Sequence, residues 1–429
     1  MGSSRVEIQV LLPLSKAFGR IKSFLGEILW RKSKALPQGA YEHGLDLTMA
    51  DDSNKKTKIL MLADVPFWKL PGLSQYKRDG TYATWLQALI PKFGKIEGLE
   101  IHWVVFSKHV PKDLVHCEYN QTFYVLKRWK FLASMLTGFF VETRQIRKIY
   151  DEIKPDIIHA WGSEDAYGVV AARLKSKAIK VYTMQGCLSK LAEMGGSTIF
   201  KILAAYEKPS IRKYYYATAE SKMSESCLLG INNNLKTSVI DYGVDDIFHS
   251  QGWQPDENPV MVFIGTIGEL KGVKDIIRAF ADPRLRGVRL KVIGKGALEE
   301  ELKKKSSSNV EWLGKLDTSR VAEELSKSWG LVIPTYFDTG PSVIKEARVV
   351  GLPVITTNMA GASTYVKHGK SGFIIEPGNV DDLIRTIADL TSSLERCHSL
   401  GVFDWEQTRD DLRVNGAVKK FANLYRKIL

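Results

Sequence analysis

The sequence predicts an α/β protein of two doubly wound domains facing a central cleft, preceded by an N-terminal amphipathic helix. At 429 residues the chain exceeds what one hydrophobic core usually organises, so two domains are the default. Short apolar runs alternate with amphipathic stretches in both halves, the pattern of parallel sheets covered on both faces. Between the halves, residues 246–259 turn polar and carry Gly252, Pro255 and Pro259. The expected division is an extension and linker at 1–56 and a first domain at 57–250. A second domain then fills 251–402, and a C-terminal helix at 403–429 returns to the first.

Residues 10–36 place Leu11, Leu14, Phe18, Ile21, Leu25 and Ile28 at steps of three and four, which is one helical face. Pro13 falls in the first turn, where a helix tolerates it. Lys16, Arg20, Lys22, Arg31, Lys32 and Lys34 occupy the rest of the surface, with Trp30 near the boundary. A basic amphipathic helix of this kind suits the bilayer interface. A helix packed on the globular body or on a partner subunit satisfies the same pattern. The polar linker at 37–56 separates it from the fold and favours the bilayer. Val6 stands where N-myristoylation of Gly2 would want Ser or Thr.

Buried strands are expected at 58–63, 101–106, 156–161, 180–184 and 214–219, with helices such as 81–90 and 166–174 between some of them. A second set follows at 260–264, 290–293, 310–313, 331–334 and 353–356. Residues 412–429 read as a helix with Val418, Phe421, Leu424 and Tyr425 on its apolar side. Two such sheets put the ends of their strands across a cleft, where open α/β sheets bind ligands.

Composition narrows the function. Cys117, Cys187, Cys227 and Cys397 are far apart, without a CxxC pair, which fits a reducing compartment rather than a disulfide framework. The eight histidines lack metal-ligand spacing, so no protein-held metal and no cofactor is expected. No secretory signal is read, and no apolar run approaches the ~20 residues of a spanning helix. The expected location is cytoplasmic, peripheral on the inner face of a membrane. The net charge of +13 calls for an anionic partner or surface. Basic residues are dispersed without an aromatic reading platform, so nucleic acid is not expected.

The densest chemical signal is 333–357, IPTYFDTGPSVIKEARVVGLPVITT. A strand ends at Pro334, a loop carries Asp338, Thr339 and Gly340, and a helix begins near Pro341, a residue favoured at the first helical position. The N–H groups of Ser342 and Val343 then face a ligand at the positive end of the helix dipole, which is a diphosphate site. Ser342 and Glu346 share one helical face, so Glu346 can accept from ribose hydroxyls while Asp338 faces a donor sugar. An isolated Asp and Glu at this spacing would equally serve as a turn residue and a solvated carboxylate.

The run resembles the glutamate–x7–glutamate motif of the retaining glycosyltransferases of family four, with the GT-B fold of two Rossmann-like domains. Residues 263–280, FIGTIGELKGVKDIIRAF, are similar to the family's phosphate loop and following helix, and 290–296, LKVIGKG, to its strand with a glycine turn. Residues 360–378, ending SGFIIEPG, and the helix at 379–390 continue the likeness. In the first half, 80–86, 156–159, 181–186 and 239–244 match looser landmarks.

The resemblance implies transfer of a sugar from a nucleotide-diphosphate donor, a UDP-sugar favoured, to a glycan or lipid-linked acceptor in polysaccharide or glycolipid biosynthesis. It implies that Lys271, with the Ser342 and Val343 amides, holds the diphosphate. Asp338 then positions the sugar and Glu346 orients the ribose. Thr266 and Gly340 complete the donor side, and Gly80, Thr81, His159 and Gln185 lie on the acceptor side. Three positions depart from the pattern: Asp338 replaces a glutamate, Thr266 an arginine and Gln185 a histidine. Lys127, Arg128 and Lys130 beside the apolar stretch 131–141 suit a lipid-phosphate acceptor, or an ordinary helix facing the sheet. The departures also suit an alternative, a non-catalytic sugar-nucleotide-binding or assembly subunit of the same fold.

Overall fold

The computed structural model of the chain describes residues 56–76, 84–128, 130–195 and 197–429. The N-terminal amphipathic segment, Gly80 and Thr81 lie outside the described residues.

The first sheet contains β1 (Thr57–Leu62), β2 (Leu99–Ser107), β3 (Leu114–Glu118), β4 (Gln121–Lys127), β5 (Ile157–Trp161), β6 (Ile179–Met184), β7 (Tyr216–Ala219) and β8 (Lys236–Val239). Its order is β3-β4-β2-β1-β5-β6-β7-β8, with every pair parallel except β3 against β4. The second sheet contains β9 (Val260–Ile264), β10 (Arg289–Ile293), β11 (Val310–Gly314), β12 (Gly330–Ile333), β13 (Val354–Thr357) and β14 (Gly372–Ile375). It is wholly parallel, in the order β11-β10-β9-β12-β13-β14.

Continuous apolar runs form these strands because both sheet faces are covered. In β1, Ile59 and Met61 enter one core while Leu60 and Leu62 enter the other, and all four are fully buried. Successive side chains point to opposite faces, so a strand buried on both sides has no polar position to alternate with. The β3–β4 hairpin, β8 and β14 are additions to the strands expected from sequence. They lie at the sheet edges, where burial is partial.

The helix Val414–Ile428 lays Val418, Phe421 and Tyr425 on the first core. Its approach is pinned by the Val244 N–H donating to Leu412 O at 2.8 Å. Arg348, fully buried, fixes the preceding stretch by donating to the carbonyls of Leu352, Gly401 and Phe403 at 2.7–3.0 Å. The polar linker expected from 246 starts later than the sequence suggests. Asp245 accepts from the Ile247 N–H at 3.0 Å and caps a short helix, Asp246–His249, whose Phe248 is buried.

In each sheet the strand order reverses at one place, between β1 and β5 in the first and between β9 and β12 in the second. Loops leaving the carboxyl ends of such neighbours diverge to opposite faces and leave a crevice, where ligands bind.

Candidate active site

On the second domain the crevice lies between the loops that follow β9 and β12. The first loop runs through the exposed Thr266 into a single turn, Glu269–Lys271, and then Gly272. Gly272 has φ +68°, and a Cβ there would fall 2.1 Å from Pro334 O, so only glycine lets this loop cross the end of β12. Leu270 O accepts from the Thr335 hydroxyl at 2.7 Å and the Tyr336 N–H at 2.8 Å. These bonds register one loop against the other, and Lys271 Nζ meets Asp338 Oδ2 directly.

Asp338 is held at both ends of its backbone unit. Its N–H donates to Met359 O at 3.0 Å, and its carbonyl accepts from the Gly361 N–H at 2.7 Å. Its other carboxylate oxygen accepts from the Gly340 N–H at 3.1 Å, which tightens the loop before the helix. That helix is Ser342–Val350. Pro341 is its cap rather than its first residue, one position earlier than the sequence reading put it. Ser342 and Val343 therefore open the helix, where N–H groups have no intrahelical partner. The Ser342 hydroxyl bonds the half-buried Glu346 carboxyl. Burial pushes Glu346 up to about 7, against the Ser342 bond and the Lys345 charge, which pull it down.

Across the cleft, the Thr339 hydroxyl donates to Gln185 O at 2.6 Å, at the end of β6. Ser221 after β7 donates to Thr339 O at 2.5 Å. The loop that carries Asp338 is thus docked directly on the first domain. Beside it stands Glu164, whose Oε1 accepts from the Gly186 N–H at 2.6 Å. Its buried Oε2 and the buried Gln185 Nε2 find no partner among the described residues. A Cβ on Gly162 would lie 2.2 Å from Glu164 Oε2 and 3.0 Å from Gln185 Oε1, so both groups crowd the same glycine. Burial pushes Glu164 up to about 7, against backbone N–H bonds that pull it down. A buried acceptor and a buried donor left open side by side suit a polyhydroxylated ligand.

Sequence reading placed Gln185 here but missed Glu164; the only local signal was a carboxylate in the turn after β5. His159 does not belong to the acceptor surface. It is fully buried between β5 and the C-terminal helix, with ring nitrogens 2.6 Å from the Tyr425 hydroxyl and 2.6 Å from the Thr183 hydroxyl. Burial pushes its imidazole down to about 3, so it folds neutral. A depressed histidine contributes stability above its unfolded value near 6.5 and loses it as pH falls towards the folded value. The thermal-midpoint advantage of wild type over His159→Gln should therefore shrink from pH 7 to pH 5. A constant advantage by scanning fluorimetry would contradict the assignment.

Residues 245–402 match the family described as glycosyl transferases group 1, and residues 92–213 match that described as glycosyl transferase 4-like. The chain is 24% identical over 281 residues to the capsular polysaccharide biosynthesis glycosyltransferase CapM of Staphylococcus aureus, covering 59% of this chain and 72% of that protein. It is 26% identical over 156 residues to a sulfoquinovosyl transferase of Arabidopsis thaliana, covering 35% of this chain and 30% of that one. Sucrose-phosphate synthase from Thermosynechococcus elongatus superposes with a TM-score of 0.73 at 15% identity, over 87% of this chain and 99% of that chain. Anabaena HepE in complex with UDP and glucose superposes at 0.65 and 16% identity, over 86% and 100%. At these identities the structural matches establish the fold.

Proposed function

The chain belongs to the glycosyltransferases of family four with the GT-B fold, and we propose that it transfers a sugar from a nucleotide-diphosphate donor, a UDP-sugar favoured, to a glycan or lipid-linked acceptor. Activity in polysaccharide or glycan biosynthesis follows from the family and from the likeness to CapM. The donor class rests on one juxtaposition. Lys271 and Asp338 meet where the second sheet reverses its order, beside the open start of the helix Ser342–Val350.

Breaking the glycosyl–phosphate bond leaves negative charge on the departing diphosphate. The Ser342 and Val343 amides meet that charge already oriented, and Lys271 joins them. A donor entering the cleft takes the lysine from Asp338, freeing that carboxylate to accept from the sugar hydroxyls. Glu346, set back on the helix and bonded to Ser342, accepts from the ribose. On the opposite wall Glu164 and Gln185 hold the acceptor. Its hydroxyl oxygen bonds the anomeric carbon as the phosphate leaves, and the hydroxyl proton passes to a departing phosphate oxygen. This front-face course retains configuration and requires no enzyme nucleophile.

Purified protein incubated with UDP-, GDP- and ADP-sugars and detergent-solubilised lipid acceptors tests the reading. Release of nucleotide diphosphate from one donor, abolished in Glu346→Ala, is expected; no release from any donor by wild type would overturn it. Glu164→Gln replaces the carboxyl group on the acceptor wall alone. Its kcat/KM for acceptor should fall roughly 10- to 100-fold with donor KM unchanged. A matched rise in donor KM would move Glu164 to the donor side.

A further inference from the structure

One corner of the first domain exposes four large apolar side chains: Leu132 at 61%, Leu136 at 62%, Phe140 at 66% and Val141 at 48%. The corner joins the helix Phe131–Leu136 to the helix Phe140–Ile153. Neither helix needs these residues for its packing, because Met135, Phe139, Ile146, Ile149 and Ile153 already fill the core beneath. Nor is the corner frayed. Phe139 is fully buried, its N–H donates to Ser134 O at 2.7 Å, and the Tyr206 hydroxyl donates to Met135 O at 2.8 Å. The exposed set is held outward by a fixed turn.

The tip itself carries basic charge, and carboxylates enter with the buried Glu142 and, at the far end of the same helix, the exposed Asp151 and Glu152. Residues 119–141 carry Lys127, Arg128 and Lys130 and no carboxylate. Arg128 turns inward, 3.6 Å from Glu142 and 3.1 Å from Asp165, with its guanidinium 4.4 Å from the Phe131 ring. Lys130, Arg144 and Lys148 are exposed and make no ion pair among the described residues. Arg144 and Lys148 follow Val141 by three and seven positions, which extends its exposed stripe with cations. An apolar tip with a basic collar matches the layering of an anionic bilayer, hydrocarbon below phosphate. Four side chains are also few for a stable protein interface, which engages ≈ 20–30 residues a side.

We propose that this corner docks on an anionic lipid surface, with Leu132, Leu136, Phe140 and Val141 entering the acyl boundary and Lys130, Arg144 and Lys148 at the headgroup phosphates. Docking stands on these residues alone. Its consequence for substrate rests on the acceptor reading above. Arg128 ties the corner to Asp165, the neighbour of Glu164, so docking brings the acceptor wall to the lipid surface and selects a lipid-linked acceptor.

The test titrates full-length protein with phosphatidylcholine vesicles, with and without phosphatidylglycerol, and reads the bound fraction by sedimentation. Leu132→Ser/Phe140→Ser and Lys130→Glu/Arg144→Glu should each weaken binding to the anionic vesicles roughly tenfold or more. Thermal midpoint and nucleotide diphosphate release with a water-soluble acceptor should stay unchanged. Binding within twofold of wild type in both variants overturns the proposal. A shift of the apolar variant to a smaller species on size exclusion also overturns it, because the corner would then be a protein interface. Loss of release by wild type would strike the catalytic reading and leave docking standing.

Discussion

Lys271→Ala should lower turnover by roughly 10²–10³-fold, the loss typical of removing one preorganised donor from a developing anion. Lys271 stands at the end of one turn, fixed by a glycine that nothing else can replace and aimed at Asp338. The loop 264–272 carries no arginine, so no guanidinium on it takes over. Removing the lysine also leaves Asp338 facing the incoming diphosphate with the Gly340 N–H, at 3.1 Å, as its one remaining side-chain partner among the described residues, which adds repulsion to the lost attraction. Lys271→Arg should recover part of the rate. Nucleotide diphosphate release at saturating donor checks this, and a rate within a few-fold of wild type in Lys271→Ala removes the residue from the mechanism.

The second large effect is on stability. Lys345 is 2% exposed and bridges the domains, with Nζ 3.1 and 3.2 Å from the Asp241 oxygens and 3.9 Å from Glu220. Tyr365 donates to Asp241 at 3.2 Å and closes the group from the second domain. Taking one partner from a buried ion pair costs about 3–5 kcal/mol, because the remaining charge has no water to turn to. Burial already pushes Glu220 up to about 8, so it can stay protonated, and Asp241 bears the uncompensated charge. Lys345→Met should therefore fall near the lower end of that range in urea unfolding. Adding Asp241→Asn should restore part of the loss. A decrease under about 1 kcal/mol would show the group is wet and weakly coupled.

Strands buried on both faces were legible because they are short apolar runs; 260–264 coincides with β9, and 290–293 differs from β10 by one residue. Edge strands were not. Leu114–Glu118 reads LVHCE, with partial and full exposure alternating, so no apolar run marks it. Its hairpin turn is Tyr119–Asn120, both at positive φ, where glycine would have signalled a two-residue turn. The loop and helix start of the candidate site were legible for a similar reason. Asp338, Gly340, Ser342 and Glu346 lie within nine residues on one loop and one helix start, so local sequence carries their geometry. Glu164, Glu220, Asp241 and Lys345 come from four separate elements, and only strand order brings them together. His159 misled for the opposite reason. It sits inside the apolar run of β5, and an interior strand position belongs to the core before it belongs to a site.

Sugar transfer across this cleft is read by following label from donor to acceptor. Wild-type protein is given a UDP-sugar labelled in the glycosyl group together with a lipid-linked acceptor, and label is counted in the acceptor. Label is expected in the acceptor, with one nucleotide diphosphate released per sugar moved and loss of both in Lys271→Ala. Saturable donor binding by wild type with no label in any acceptor would contradict it, and would leave an intact donor site that the chain does not use for chemistry.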